Sequence, residues 1–207
     1  MRDSGIASGA APGGLELVRA FVNTRDIEQG TDELASIEGL TGWLRRWPAA
    51  GHVPATAAAA GRAAAAVAAA GPGDLERAVA LREALRGVLR CHARPSAGGV
   101  ELAAGRLRSA ASGLPVQLDV SGDGSVGLAP APAGLAGALA SILLIAATAA
   151  AQRTWPRLKA CVADDCQWAF YDRSPTRSGC WCSMRICGAR AKSRSYRQRA
   201  AGHQAPG

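Results

Sequence analysis

The run Cys161-Val162-Ala163-Asp164-Asp165-Cys166, answered after fifteen residues by Cys182-Ser183-Met184-Arg185-Ile186-Cys187, decides how the end of this 207-residue chain folds. Each half is a C-x4-C pair. Two close pairs on a short connection are the usual way to build a tetrahedral four-thiolate zinc site, each pair supplying one edge of the tetrahedron. The spacing therefore predicts one structural zinc ion on Cys161, Cys166, Cys182 and Cys187. Cys180 is the alternative to Cys182, but it would stretch the second pair to C-x6-C, so Cys182 is preferred. Cys91, beside His92 at a helix end, reads as a structural thiol.

The residues between the pairs complete a small module. Gln167 to Tyr171 is predicted as a short strand with Trp168 and Phe170 on one face. Asp172 to Gly179 is rich in turn formers, and Cys180-Trp181-Cys182 is predicted to return as a second brief strand. Ser183 then caps a helix running to about Arg199. Knuckle, hairpin and ligand-bearing helix make a treble-clef-like unit. Its apolar residues (Trp168, Phe170, Trp181 and Ile186) are too few to hold it without the metal. Zinc with four thiolates has a formal charge of about −2, to be offset by N–H groups at the helix start and by Arg185 and Arg190.

Charge separates this unit from the rest. Residues 1–152 hold 13 Arg against 13 Asp or Glu, whereas 153–199 hold 11 Arg or Lys against Asp164, Asp165 and Asp172. The whole net charge of +8 therefore sits in the last quarter of the chain. Such asymmetry is the footprint of a polyanion partner. On a helical wheel Arg190, Arg194 and Arg197 share one flank, and Arg185, Lys192 and Arg199 lie nearly opposite. The stripe between them, from Ile186 through Ala189, Ser193 and Tyr196 to Ala200, is too thin to bury a helix. Both flanks are thus predicted to be free for phosphate contacts, and DNA is the favoured partner.

The first three quarters read as a mostly helical domain with one hairpin. Residues 1–14 are expected to be disordered, as are 201–207. A helix from Leu15 places Leu15, Val18 and Val22 on one face and ends near Asn23 and Thr24. Thr31 or Asp32 is predicted to cap a helix with Leu34 and Ile37, and Thr41 a further turn with Trp43, Leu44 and Trp47. Ala55–Ala70 has high helix propensity. Asp74 caps Leu75–Arg90, with a core band of Leu75, Val79, Leu81, Leu85, Val88 and Leu89. Val100–Ala111 is another helix. Val116, Leu118 and Val120, then Val126 and Leu128 across Gly122-Asp123-Gly124, alternate as a hairpin. The uncharged run 134–152 reads as a buried core helix rather than a membrane span. The fold class is therefore α+β, mostly α, with a helical domain over 15–153 and a zinc module over 158–200.

Asn23, Thr24 and Arg25, with Asp26, form the densest polar cluster of the first domain. They either line a small-molecule pocket or cap helices. No phosphate-binding glycine loop and no HExxH occur, and four thiolates leave no open zinc position, so no enzymatic activity is expected. No basic region followed by an apolar core opens the chain, and paired thiols then fit a reducing cytoplasm.

Cys161-x4-Cys166, Phe170-x-Asp172-x-Ser174, Trp181-Cys182-Ser183-Met184 and Cys187-Gly188-Ala189-Arg190-Ala191-Lys192 resemble the CGNR zinc-finger family. Leu17-Val18-Arg19-Ala20-Phe21-Val22-Asn23-Thr24, with Leu40-x2-Trp43-Leu44, resembles the ABATE domain that commonly precedes that finger. The resemblance implies the same four cysteine ligands, a finger that binds DNA, and a stress-linked transcription regulator whose first domain senses a ligand or stress. The chain departs from the family at Ala189, where Asn is usual, and at Cys180, where a basic residue is usual. The competing reading is a zinc-stabilised adaptor for protein or RNA.

Overall fold

The computed structural model describes residues 9–47, 71–131 and 134–202. The stretch of high helix propensity at Ala55–Ala70 and the outer parts of both expected tails, 1–8 and 203–207, lie outside them. Among the described residues six α-helices, two shorter helical turns and three two-stranded antiparallel sheets follow one another, so the fold is α+β and mostly helical.

Helix α1 (Leu15–Val22) buries Leu15, Leu17, Val18, Phe21 and Val22. Glu16 in its first turn accepts the Ala11 N–H at 2.6 Å and Arg19 Nε at 2.8 Å. Ala11, in the stretch expected to be disordered, is itself buried in the core.

The next segment differs from the sequence reading. No helix starts at Thr31 or Asp32. Strand β2 (Thr31–Asp32) pairs instead with β1 (Arg25–Asp26), the reversal passing through Gly30 at φ +67°. The Asp32 carboxylate cannot act as an isolated helix cap because it is taken by Leu34 N–H and the Arg82 guanidinium. Helix α2 (Ile37–Arg46) begins after Ser36, whose Oγ accepts the Gly39 N–H at 3.2 Å. Thr41 lies inside α2 and donates to Glu38 O, so it caps nothing. Trp43 and Phe21 join α2 to α1, with ring centroids 5.2 Å apart.

Helix α3 (Pro72–Ala93) starts ahead of the expected cap. Pro72 occupies the first helical position, and Asp74 accepts the Gly71 N–H at 3.0 Å from inside the first turn. Helix α4 (Ala97–Ala111) leads into the hairpin of β3 (Val116–Val120) and β4 (Val126–Pro130), paired Leu118 to Leu128 and Val120 to Val126. Gly124, at φ +81°, makes the turn. Helix α5 (Gly134–Ala151) is long and apolar enough to cross a membrane. Its Leu135, Leu139, Ile142 and Ile145 nevertheless pack into the main core with α1 and α3, as expected for a core helix.

A second correction concerns the cysteine module. Cys180–Cys182 forms no strand. The hairpin is built by β5 (Leu158–Ala160) and β6 (Ala169–Tyr171), paired Lys159 to Phe170. The reason lies in packing: Leu158, Ala160 and Ala169 are fully buried in the same cluster as Leu17, Leu81 and Leu139. Cys180 contributes one backbone bond, accepting the Val162 N–H at 3.1 Å. One side of the hairpin thus belongs to the helical core, while Phe170 faces the cysteines.

Candidate metal centre and nucleic-acid interface

The first cysteine pair sits on a tight knuckle. Cys161 N–H bonds to Trp168 O, and the N–H groups of Cys166 and Gln167 both bond to Ala163 O, each at 3.0 Å. Gln167 takes a left-handed conformation, φ +52°, to leave the turn. In the second pair Cys182 precedes and Cys187 lies within a wide π-type turn, Met184–Gly188, started by Ser183 Oγ accepting the Ile186 N–H. Gly188 N–H closes it on Ser183 O at 3.0 Å. A Cβ at Gly188 would come within 3.1 Å of Met184 Sδ, so a side chain there would push the exposed Met184 side chain aside. Helix α6 (Ala189–Gly202) continues from this turn.

All four sulfurs, of Cys161, Cys166, Cys182 and Cys187, lie within 4.8 Å of one another, and all four residues are buried. Cys182 Sγ is 3.5 Å from Cys166 Sγ and 3.6 Å from Cys187 Sγ. A tetrahedron with Zn–S bonds of ~2.3 Å has edges of ~3.8 Å, so the cluster fits one zinc ion. Cys182, not Cys180, completes the set. Trp168, Phe170, Trp181 and Ile186 surround it, as the sequence suggested. The site is that of a single structural zinc, which crosslinks knuckle and turn. S–H groups of Cys166 and Cys182 pull the Cys161 thiol down to about 4 by donating to it, while donation and burial push Cys182 up. Crowded thiols of this kind favour a doubly charged cation over their own protons.

Arg190 offsets part of the site's negative charge: its Nη2 donates to Cys187 Sγ at 3.3 Å. Its Nη1 lies 3.1 Å from Glu28 Oε1, in the loop between β1 and β2, and 3.9 Å from Asp165. Glu28 first, then Cys187, holds the guanidinium pKa above its ordinary value. Arg194 reaches Asp165 at 3.5 Å, and Arg197 Nε bonds back to Ser193 O. Arg185, Lys192, Arg197 and Arg199 are exposed and have no acidic partner among the described residues. The two flanks expected to be equally free therefore differ. Ala189, where the family carries Asn, is exposed at the start of α6.

Of the two roles expected for the polar cluster, capping is seen at α1, where Asn23 is the C-cap and Thr24 closes the last turn. The Asn23 side-chain amide bonds both to Ala169 O (3.0 Å) and from Ala169 N (2.7 Å), extending β6 by one rung. Thr24 is buried, donating to Phe21 O and accepting from Arg82. Arg25 is exposed, 3.9 Å from Glu83. Of the three, Asn23 docks the module, while Thr24 and Arg25 make their bonds within the helical domain.

Sequence reasoning missed the rest of that docking. Arg82 holds Asp32 through two bonds of 2.5 and 2.8 Å. Buried Arg86 donates to Val22 O at 2.6 Å and to Gln167 O, on the zinc knuckle, at 3.0 Å. Arg90 meets Asp164 at 2.6 Å. The signal was present: Leu81-Arg82, Leu85-Arg86 and Leu89-Arg90 repeat every four residues, so each arginine follows a core leucine along one side of α3. Buried Lys159 was missed as well. Its Nζ lies 2.8 Å from Asp172 and donates to the carbonyls of Arg177 and Gly179, pinning the loop after β6.

The model of the CGNR zinc finger matches residues 157–200. The model of ABATE, described as "Putative stress-induced transcription regulator", matches residues 15–156. No curated protein matches the chain. With most of its length taken up by these two consecutive matches, the chain belongs to the ABATE family and carries a CGNR zinc finger at its C-terminal end.

Proposed function

We propose that the protein is a non-enzymatic regulator that binds duplex DNA through α6, and that the ABATE match ties this regulation to stress. One observation carries the reading: Arg185 on the zinc turn, and Lys192, Arg197 and Arg199 on the helix that this turn and Arg190 fix at its base, stand exposed and unneutralised. Arginines and lysines held on a rigid element neutralise phosphates and release counterions, which supplies most of the affinity for DNA. On this reading Arg190 and Arg194, turned toward Glu28 and Asp165, position the helix rather than contact the duplex. The zinc then has a purely structural role, since four thiolates leave it no position for substrate.

Fluorescence anisotropy of the zinc-loaded chain on duplex DNA, titrated with salt, tests the reading. Four phosphate contacts predict a log–log slope of roughly −3 to −4. Replacing Arg185, Lys192, Arg197 or Arg199 with Gln should flatten it by about one unit each, whereas Arg190→Gln should not act through the slope. A flat titration, or binding that prefers single-stranded RNA or a protein partner, sinks the assignment.

A further inference from the structure

The β3–β4 hairpin presents its oily side outward. By register, Val116, Leu118 and Val120 share a face with Val126, Leu128 and Pro130. The five Val and Leu residues of that face are between 43% and 69% exposed. On the opposite face Asp119 and Ala129 are half-buried, while Gln117 and Gly127 are exposed. A soluble hairpin normally points such a row of side chains inward, and a two-stranded sheet alone is marginally stable. We propose that this face is the interface with a second copy of the same chain, two hairpins packing face to face across a two-fold axis.

Three observations select that occupant. The first is what the chain itself can offer. Outside the described residues the large aliphatic side chains are Met1 and Ile6 in 1–8 and Val53 and Val67 in 48–70, with none in 132–133 or 203–207. That is too little to cover five Val and Leu residues. The second is charge. The charged residues of 114–131 are Asp119 and Asp123, with no Lys or Arg. Without a cation the hairpin offers phosphates nothing to pair with, which disfavours nucleic acid and an anionic membrane surface. The face itself is uncharged, so a copy meets its like without repulsion, which an isologous interface requires. The third is size. The five side chains leave on the order of 450 Å² of apolar surface per copy, close to the apolar share of a standard half-interface of ~800 Å².

The dimer does not depend on DNA binding and is tested without nucleic acid. Sedimentation equilibrium of the zinc-loaded full-length chain should give twice the monomer mass at tens of micromolar. Leu118→Lys combined with Val126→Lys, at exposed positions that the monomer fold does not use, should weaken association at least tenfold while zinc content stays unchanged. Gln117→Lys, on the opposite face, should leave association intact. For the unmutated chain, amide exchange in 116–120 and 126–130 should slow as concentration rises through the association range, which also covers the case of a variant that fails to fold. A wild-type chain that stays monomeric to several hundred micromolar overturns the proposal. So do a dimer indifferent to the double substitution, hairpin exchange independent of concentration, and a monomer that captures vesicles through this face.

Discussion

Lys159 sits at the centre of β5 with its ammonium group out of water, ringed by the Asp172 carboxylate and two carbonyls. Burial alone would raise the Asp172 pKa, but the bonds from Lys159, Ser174 and Gly179 outweigh it and hold the carboxyl well below its ordinary 3.8. The sign follows from linkage: a depressed acid adds stability that is complete above about pH 4 and is lost as pH falls below it. Removing one partner is worse than removing both, because the other charge stays buried and alone. Lys159→Met should therefore cost about 3–5 kcal/mol by urea unfolding at pH 7. The double variant Lys159→Met with Asp172→Asn should recover much of that. A Lys159→Met chain of wild-type stability would show that the pair is idle. Nothing in the sequence marked this pair, since a lone lysine before a cysteine knuckle looks the same whether it is solvated or buried. The four cysteines were legible because zinc chemistry fixes both their type and their spacing.

Along α3 the leucines make the core and the arginines beside them make the joint. Arg82 orders β2, Arg86 bridges the end of α1 to the zinc knuckle, and Arg90 reaches Asp164. Asn23 adds a two-bond rung to β6 from the other side. Arg86→Met should leave the carbonyls of Val22 and Gln167 without their buried donor, at a cost of about 1–3 kcal/mol each where no water enters. It should also speed zinc loss to a chelator severalfold, because Gln167 directly follows Cys166. Asn23→Ala should act in the same direction and more weakly. If zinc release from both variants matches wild type, the joint does not support the metal site. Helix positions were readable from hydrophobic period, capping residues and Gly-Pro breaks. The strand pairings were not: β5–β6 replaced the expected Cys180–Cys182 strand because pairing was chosen by burial against α1 and α3, which are distant in sequence. The same holds for β1–β2, where Asp32 answers to Arg82, fifty residues away.

At the scale of the molecule, two family matches in sequence share one core. Leu158, Ala160 and Ala169 are packed with residues of α1, α3 and α5, so the finger has no apolar interior of its own apart from the ring around the sulfurs. Stripping zinc should therefore lower the melting temperature of the entire chain in a single transition and reduce helical circular dichroism by more than α6 contributes. Two separate melts, with the first unmoved by chelation, would contradict the shared core. A sequence divides this chain at the composition change near residue 153, and no local signal reveals that the following strands fold back into the preceding domain. From the zinc turn onward α6 is a cantilever. Its first residues are bolted to the body by Arg190, and from Lys192 to Arg199 its side chains are exposed. At 1.5 Å per residue a 14-residue rod spans ~21 Å, so span rather than swing decides how far its tip can probe.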